Sequence, residues 1–263
     1  MSNARPIEDY WAEVNTYDPL GTQRPEHIAV LFKIYIESNP LLEKHKDNLS
    51  DLFYSSRSQV YQDIFALLFS NYKRNGYFVD FGATDGISIN NTYILEKEYN
   101  WRGIVAEPAK VWHSDLYKNR SCNISTDCVW NLTNEKIVFD ESSKPEWSAI
   151  SSYVDKPASM SRGQSSLYEV NTISLNDLLI KFNAPVDIDY LSLDTEGSEL
   201  DILQAFDFDK YKVKFITCEH NDENGDKGYR QKIYNLLSSK GYNRVWEQLS
   251  AWDDWYTLKD NKI

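Results

Sequence analysis

The chain has 263 residues, 41% of them hydrophobic and 14% aromatic, enough for one sizeable core with an appended helical segment. Its 28 Lys and Arg against 40 Asp and Glu leave a net charge of -12. With no basic run interleaved with aromatics, this argues against nucleic acid and anionic membrane surfaces as partners, since both bind through phosphate neutralisation. Residues 1–18 lack the charged-then-apolar pattern of a signal segment, and no apolar run approaches the ~20 residues needed to span a bilayer. The expectation is a soluble, cytoplasmic protein without membrane insertion. Cys122, Cys128 and Cys218 form no C-x-x-C pair and are odd in number, which suits a reducing compartment.

In chain order, Arg24-Pro25-Glu26 opens a helix with Ile28, Leu31, Phe32, Tyr35 and Ile36 on one face, stopped by Asn39-Pro40. Ser58 is a candidate N-cap for a helix running to Tyr72, with Val60, Ile64, Leu67 and Leu68 on one side. Residues 1–75 therefore read as a helical extension packed on the core, and 76–263 as the main domain. From Tyr77 the pattern becomes strand, small-residue turn and helix, with the helix expected over 87–96. Strands follow at 103–106, 188–193 and 213–218, and helices at 110–119, 174–182 and 198–206. Such alternation predicts a mostly parallel sheet with helices on both faces. After a helix at 230–239, strands at 242–246 and 252–258 predict an antiparallel finish. The polar, Ser-rich stretch 142–164 reads as a long loop at the mouth of the site.

The chemistry starts at Asp80-x-Gly82-x-x-x-Gly86. The dinucleotide fingerprint G-x-G-x-x-G is absent, and an acid before the glycines suits a cofactor with a cationic centre better than a pyrophosphate. Glu107 ends the second strand, where a carboxylate commonly grips a ribose diol. The plain alternative is a tight turn followed by a solvated acid. In Asp194-Thr195-Glu196-Gly197-Ser198-Glu199, helix capping by Ser198 with Asp201 and the helix dipole explain Ser198, Glu199 and Asp201, which leaves Asp194 and Glu196 for the site. Glu219-His220-Asn221-Asp222 ends the next strand. His220 is the first candidate for a base, because an unperturbed imidazole titrates near neutrality. Asp194, Glu219 and Asn221 are alternatively ligands for Mg²⁺. Trp246, Trp252, Trp255 and Tyr256 are either core packing or a sugar-stacking face. Trp147 and Tyr153, in the 142–164 stretch, are placed to select a substrate as a lid would.

Several motifs in order resemble the FkbM family of S-adenosylmethionine-dependent methyltransferases. They are Ser58-Gln59-Val60-Tyr61-Gln62-Asp63, Val79-Asp80-Phe81-Gly82-Ala83-Thr84-Asp85-Gly86 with Asn90-Asn91-Thr92, and Val105-Ala106-Glu107-Pro108. Tyr190 to Glu199, Ile216 to Asn221 and Trp252 to Tyr256 continue the likeness. Tyr61 stands where related chains usually carry glycine. The resemblance implies a Rossmann-like class I methyltransferase α/β fold with the methionine end of S-adenosylmethionine over Gly82, Ala83 and Gly86. Asp80 and Asp194 would then compensate its positive charges, with Asp85, Asn91 and Thr92 lining the turn and Gln62 near its carboxylate. Glu107 would take the ribose, and Asp127-Cys128 would face the adenine. His220, Asp194, Glu196 and Glu219 become the catalytic candidates for methyl transfer to a hydroxyl of a sugar or glycan precursor. Two alternatives are a nicotinamide-dependent sugar-modifying enzyme, against which the lack of G-x-G-x-x-G and of a Tyr-x-x-x-Lys pair counts, and a non-catalytic binding module docking through residues 1–57.

Overall fold

A computed structural model describes residues 49–154, 163–220, 228–247, 249–250 and 252–259. The helix expected over 24–39, and Asn221 and Asp222, lie outside these. Helices α1 (Leu49–Ser55) and α2 (Gln62–Phe69) lead into β1 (Tyr77–Phe81), α3 (Tyr93–Lys97), β2 (Arg102–Ala106), α4 (Lys110–Asn119) and β3 (Asn123–Ser125). Next come β4 (Cys128–Trp130), β5 (Lys136–Ser142), a 3₁₀ turn at Pro145–Trp147, β6 (Ala149–Ile150) and β7 (Ser165–Ser174). The chain closes through α5 (Leu175–Lys181), β8 (Asp187–Leu193), α6 (Glu199–Ala205), β9 (Lys212–Glu219), α7 (Tyr229–Ser239), β10 (Tyr242–Val245) and β11 (Asp253–Leu258).

The main sheet has the order β10-β11-β9-β8-β1-β2-β3. Its pairs are parallel except where β11 inserts between β9 and β10. This mixed α/β architecture, mostly parallel with one reversed C-terminal strand, agrees with the alternation in the sequence. β1 is buried along its whole length, as a central strand covered on both faces must be. Phe78, Val105, Tyr190, Phe215 and Trp255 pack toward α2 and α3 on one face. Val79, Ile104, Leu191, Ile216 and Tyr256 pack toward α5, α6 and α7 on the other. All of α2 is buried, and its Phe65 stacks on Trp255 at 5.0 Å. Trp255 and Tyr256 are fully buried, so their rings serve the core and offer no sugar-stacking face. Trp246, partly buried, packs against Phe69 at 4.8 Å. Trp255→Ala should lower unfolding free energy by about 3–5 kcal/mol, measured by urea denaturation.

Three stretches differ from expectation. Asp85 accepts from Ile87 N (2.8 Å) and Ser88 N (2.7 Å), which holds the chain out of helix until Tyr93. Ser58 accepts from Asp63 N, but α2 starts only after Tyr61, whose φ is 66°. That left-handed backbone is one glycine adopts freely and a tyrosine does not. The 142–164 stretch contains β6 and the 3₁₀ turn in addition to irregular chain. It sits between β5 and β7, which pair antiparallel from Lys136↔Asn171 to Ser142↔Ser165 in a second sheet ordered β4-β7-β5-β6. Along β7, Val170 and Thr172 face in while Leu167, Glu169 and Asn171 face out. Its polar half hides the strand from a search for apolar runs. No helix among the described residues is long and apolar enough to cross a membrane. The three cysteines are free thiols.

Candidate functional site

The carboxyl ends of β1, β2 and β8 open on a cleft. Gly82, with φ 76°, ends β1 so close to β8 that an added Cβ would collide with the carbonyl oxygen of Asp194. Only a residue without a side chain allows this crossing. Three non-glycine residues lining the cleft also have positive φ: Thr84 (50°), Ile89 (46°) and Glu196 (59°). A β-branched residue in that region is a genuine outlier, and such strain clusters where a ligand site must be held in shape. The second sheet supplies an apolar wall from Cys128, Val129, Phe139 and Ile150, and Pro145, Glu146 and Ser148 of the 142–164 stretch complete it. Tyr153 packs beside the Gly197 turn and donates its hydroxyl to Asp201, while Trp147 lies beside Lys144 and does not line the cleft.

Of the residues singled out in the sequence, Gly82, Glu107, Cys128, Asp194 and Glu196 line the cleft. Glu107 accepts from Thr84 N (2.9 Å) and Ala109 N (2.8 Å), so the first loop and the start of α4 are both tied to its carboxylate. Burial pushes its pKa up to about 8. Asp80 lies beneath the loop, accepting from Asn90 Nδ2 (3.1 Å) and Thr92 Oγ1 (2.7 Å). Burial raises its pKa, opposed by the Arg120 guanidinium and these bonds. Asn91 donates to Ser192 Oγ (2.9 Å). Gln62 donates to Asp253 (2.8 Å) behind the cleft, and Asp127 pairs with Lys181 (2.9 Å). Asp80, Ala83, Asp85, Gly86, Asn91, Thr92, Gln62 and Asp127 are not among the lining residues.

A second group of acids gathers at the ends of β8 and β9. One carboxylate oxygen each of Asp194, Glu196 and Glu219 lies within 4.8 Å of the others. Burial, then the charge of Glu199, raises Asp194 to about 7, while burial and the charge of Asp194 push Glu219 well above the carboxylate range. His220 follows directly, its backbone N–H donating to Trp252 O (3.0 Å) and its side chain buried. The turn between Asp194 and α6 is built differently from the expected cap. Ser198 makes no cap hydrogen bond, because its hydroxyl is engaged with Thr195 Oγ1 (2.7 Å). The Glu199 carboxylate does the work instead, accepting from Thr195 N (2.7 Å) and Gly197 N (3.1 Å). Asp201 turns to Tyr153.

The family model described as Methyltransferase FkbM domain matches residues 80–244, more than half of the chain, from the end of β1 into β10. The chain belongs to the FkbM methyltransferase family. None of the curated proteins matches it.

In this FkbM chain Arg120 supports the site although nothing in the sequence singles it out. It is fully buried at the end of α4, where it donates to Glu96 (2.6 Å), Asn90 Oδ1 (2.8 Å) and Thr92 Oγ1 (3.0 Å). Asp80, Asn90, Thr92 and Arg120 thus form one satisfied network under the glycine loop. A lone arginine at a helix end carries no sequence signal for this, since its partners lie about 30 residues away in the chain. Glu107→Gln should destabilise the protein by about 1–3 kcal/mol in thermal or urea unfolding. An amide nitrogen cannot accept from Thr84 N or Ala109 N, so one buried donor loses its partner.

Proposed function

We propose that this FkbM-family chain is an S-adenosylmethionine-dependent O-methyltransferase acting on a hydroxyl of a sugar or glycan precursor. Residues 76–263 are its Rossmann-like catalytic domain, and 1–75 a helical extension. The observation that carries the reading is the meeting of Gly82, Glu107 and Asp194 in one cleft, against a wall of Val129, Phe139 and Ile150. A bare glycine turn, two carboxylates and an apolar wall suit a ligand with an aminoacyl end, a ribose and a flat base. When bound, S-adenosylmethionine supplies a sulfonium methyl carbon that an acceptor oxygen attacks as the carbon–sulfur bond breaks.

Glu107 holds the ribose hydroxyls, Cys128 and the apolar wall face the adenine, and the Gly82–Gly86 turn underlies the methionine end. Asp194 balances the positive charge, with Asp80 contributing from beneath the loop. An acceptor hydroxyl must lose its proton to become a nucleophile, and a base is most effective with a pKa near the working pH. His220 and Asp194 are the groups proposed to take that proton, with Glu196 and Glu219 orienting the acceptor. The absence of G-x-G-x-x-G and the family membership both favour this reading over a nicotinamide-dependent one.

Calorimetry with S-adenosylmethionine and with NADH tests the cofactor, and binding of NADH alone overturns the proposal. Methyl transfer to a panel of nucleotide sugars, with His220→Ala and Asp194→Ala, tests the base. Full rates in both variants would show that the proton goes elsewhere.

A further inference from the structure

Three acids gather at the ends of β8 and β9, beside the cleft. Asp194 ends β8, Glu196 sits in the left-handed turn that follows, and Glu219 ends β9, the parallel neighbour of β8. One carboxylate oxygen from each lies within 4.8 Å of the other two. An acidic cluster alone is a common surface feature, but Glu219 is not at the surface. It is only 6% exposed, and its Oε2 has no hydrogen-bond partner among the described residues. A buried carboxylate oxygen left without a donor is costly, and more so when charged, unless a bound group satisfies it.

Among the described residues no Lys or Arg pairs with Asp194 or Glu219: Arg120 is committed to Glu96, and Arg230 and Arg244 to Asp254. An all-carboxylate oxygen set, without sulfur or imidazole in the cluster, is the donor chemistry of hard divalent cations.

We propose that Asp194, Glu196 and Glu219 bind a divalent cation of the magnesium class, and that two adjacent hydroxyl oxygens of the acceptor complete its coordination. Magnesium prefers roughly six oxygens and rarely takes them all from protein, so three carboxylates leave room for a diol. The same arrangement restricts acceptors to vicinal diols and places one of their oxygens beside the Gly82 turn, because Asp194 and Glu196 line that cleft. The cation site stands on the carboxylates alone; the part given to the acceptor rests on the O-methylation reading.

Full-length protein stripped with a chelator is titrated with Mn²⁺, the free ion being read by its electron paramagnetic resonance signal. One equivalent should bind with a dissociation constant below about 1 mM, and millimolar Mg²⁺ should displace it. Glu196→Gln and Glu219→Gln should each weaken binding about tenfold or more. Should the buried Glu219→Gln variant fail to fold by circular dichroism, the partly exposed Glu196→Gln variant decides. No bound manganese at 1 mM, or unchanged affinity in the folded variants, overturns the proposal. Displacement of Mn²⁺ by S-adenosylmethionine also overturns it, since the carboxylates would then receive the ammonium group. Calorimetry with S-adenosylmethionine on the same samples separates the two readings. Donor binding without manganese sinks the cation site alone, and manganese without donor binding sinks the cofactor reading alone.

Discussion

Gly82→Ala is expected to cost the fold about 2–5 kcal/mol and to abolish binding of the methyl donor. Two effects add. The residue has φ 76°, a conformation an alanine resists, and its Cβ would meet the backbone carbonyl oxygen of Asp194. Backbone cannot rotate away as a flexible side chain can, so either β8 or the loop after β1 must shift. Either movement separates Gly82 from Asp194, the pair on which the cleft depends. Thermal unfolding reads the first effect and calorimetry the second. A variant with the melting temperature and donor affinity of the native protein would refute the close crossing. Gly86→Ala makes a useful comparison. There the added Cβ meets Cγ of the buried Arg120 and strain at φ 83° remains, so destabilisation through the Arg120 network without loss of the Gly82–Asp194 contact is expected.

Asp194→Asn should lower kcat about 10²–10⁴-fold and at the same time stabilise the ligand-free protein in mildly alkaline solution. Asp194 is raised from 3.8 to about 7 by burial and the charge of Glu199, and Glu107 from 4.5 to about 8 by burial. Both groups therefore hold a proton more tightly in the folded protein than in the unfolded chain. The folded state binds more protons between the two values, so stability falls as pH rises through that window. The contribution is fully present below about pH 4 and is lost as pH passes 7 for Asp194 and 8 for Glu107. Melting temperature should accordingly decline between about pH 5 and pH 8. Asparagine cannot ionise and removes one share of the decline, so the variant should gain on the native protein at pH 8 and not at pH 4.5. Parallel melting curves at all pH values would mean that Asp194 carries no such load. A residue that costs stability and is needed for rate is the ordinary signature of a functional site.

The main sheet was legible because its signals are local. Apolar runs such as 188–193 and 213–218, each followed by a turn and a helical pattern, predict parallel strands without knowledge of their partners. β11 was legible as well, from its separation from β10 by a short connection. The strands β5 and β7 were not. Half of each faces solvent, and their polar residues at 136–142 and 165–174 match a loop as well as a strand until they are paired. The helix expected at 87–96 shortened to Tyr93–Lys97 because Asp85 bonds the amides of Ile87 and Ser88, a local competition that periodicity ignores. The terminal aromatics were open between sugar stacking and packing, and only the insertion of β11 beside β9 buries Trp255 against Phe65.

The site divides in the same way. Sequence by itself determined which chemistry is present: a glycine turn after β1, an acid ending β2, and acids ending β8 and β9, in the order and spacing of the FkbM family. These follow from residue identity and strand position, which neighbours along the chain determine. Tertiary structure decided which of those acids meet. Asp80 and Asp194 look equivalent in sequence, yet Asp80 is enclosed by Asn90, Thr92 and Arg120 while Asp194 faces the cleft beside Glu196 and Glu219. The difference lies in contacts between residues far apart in the chain, through which burial and neighbouring charge set whether a carboxylate supports the fold or is left to bind a ligand.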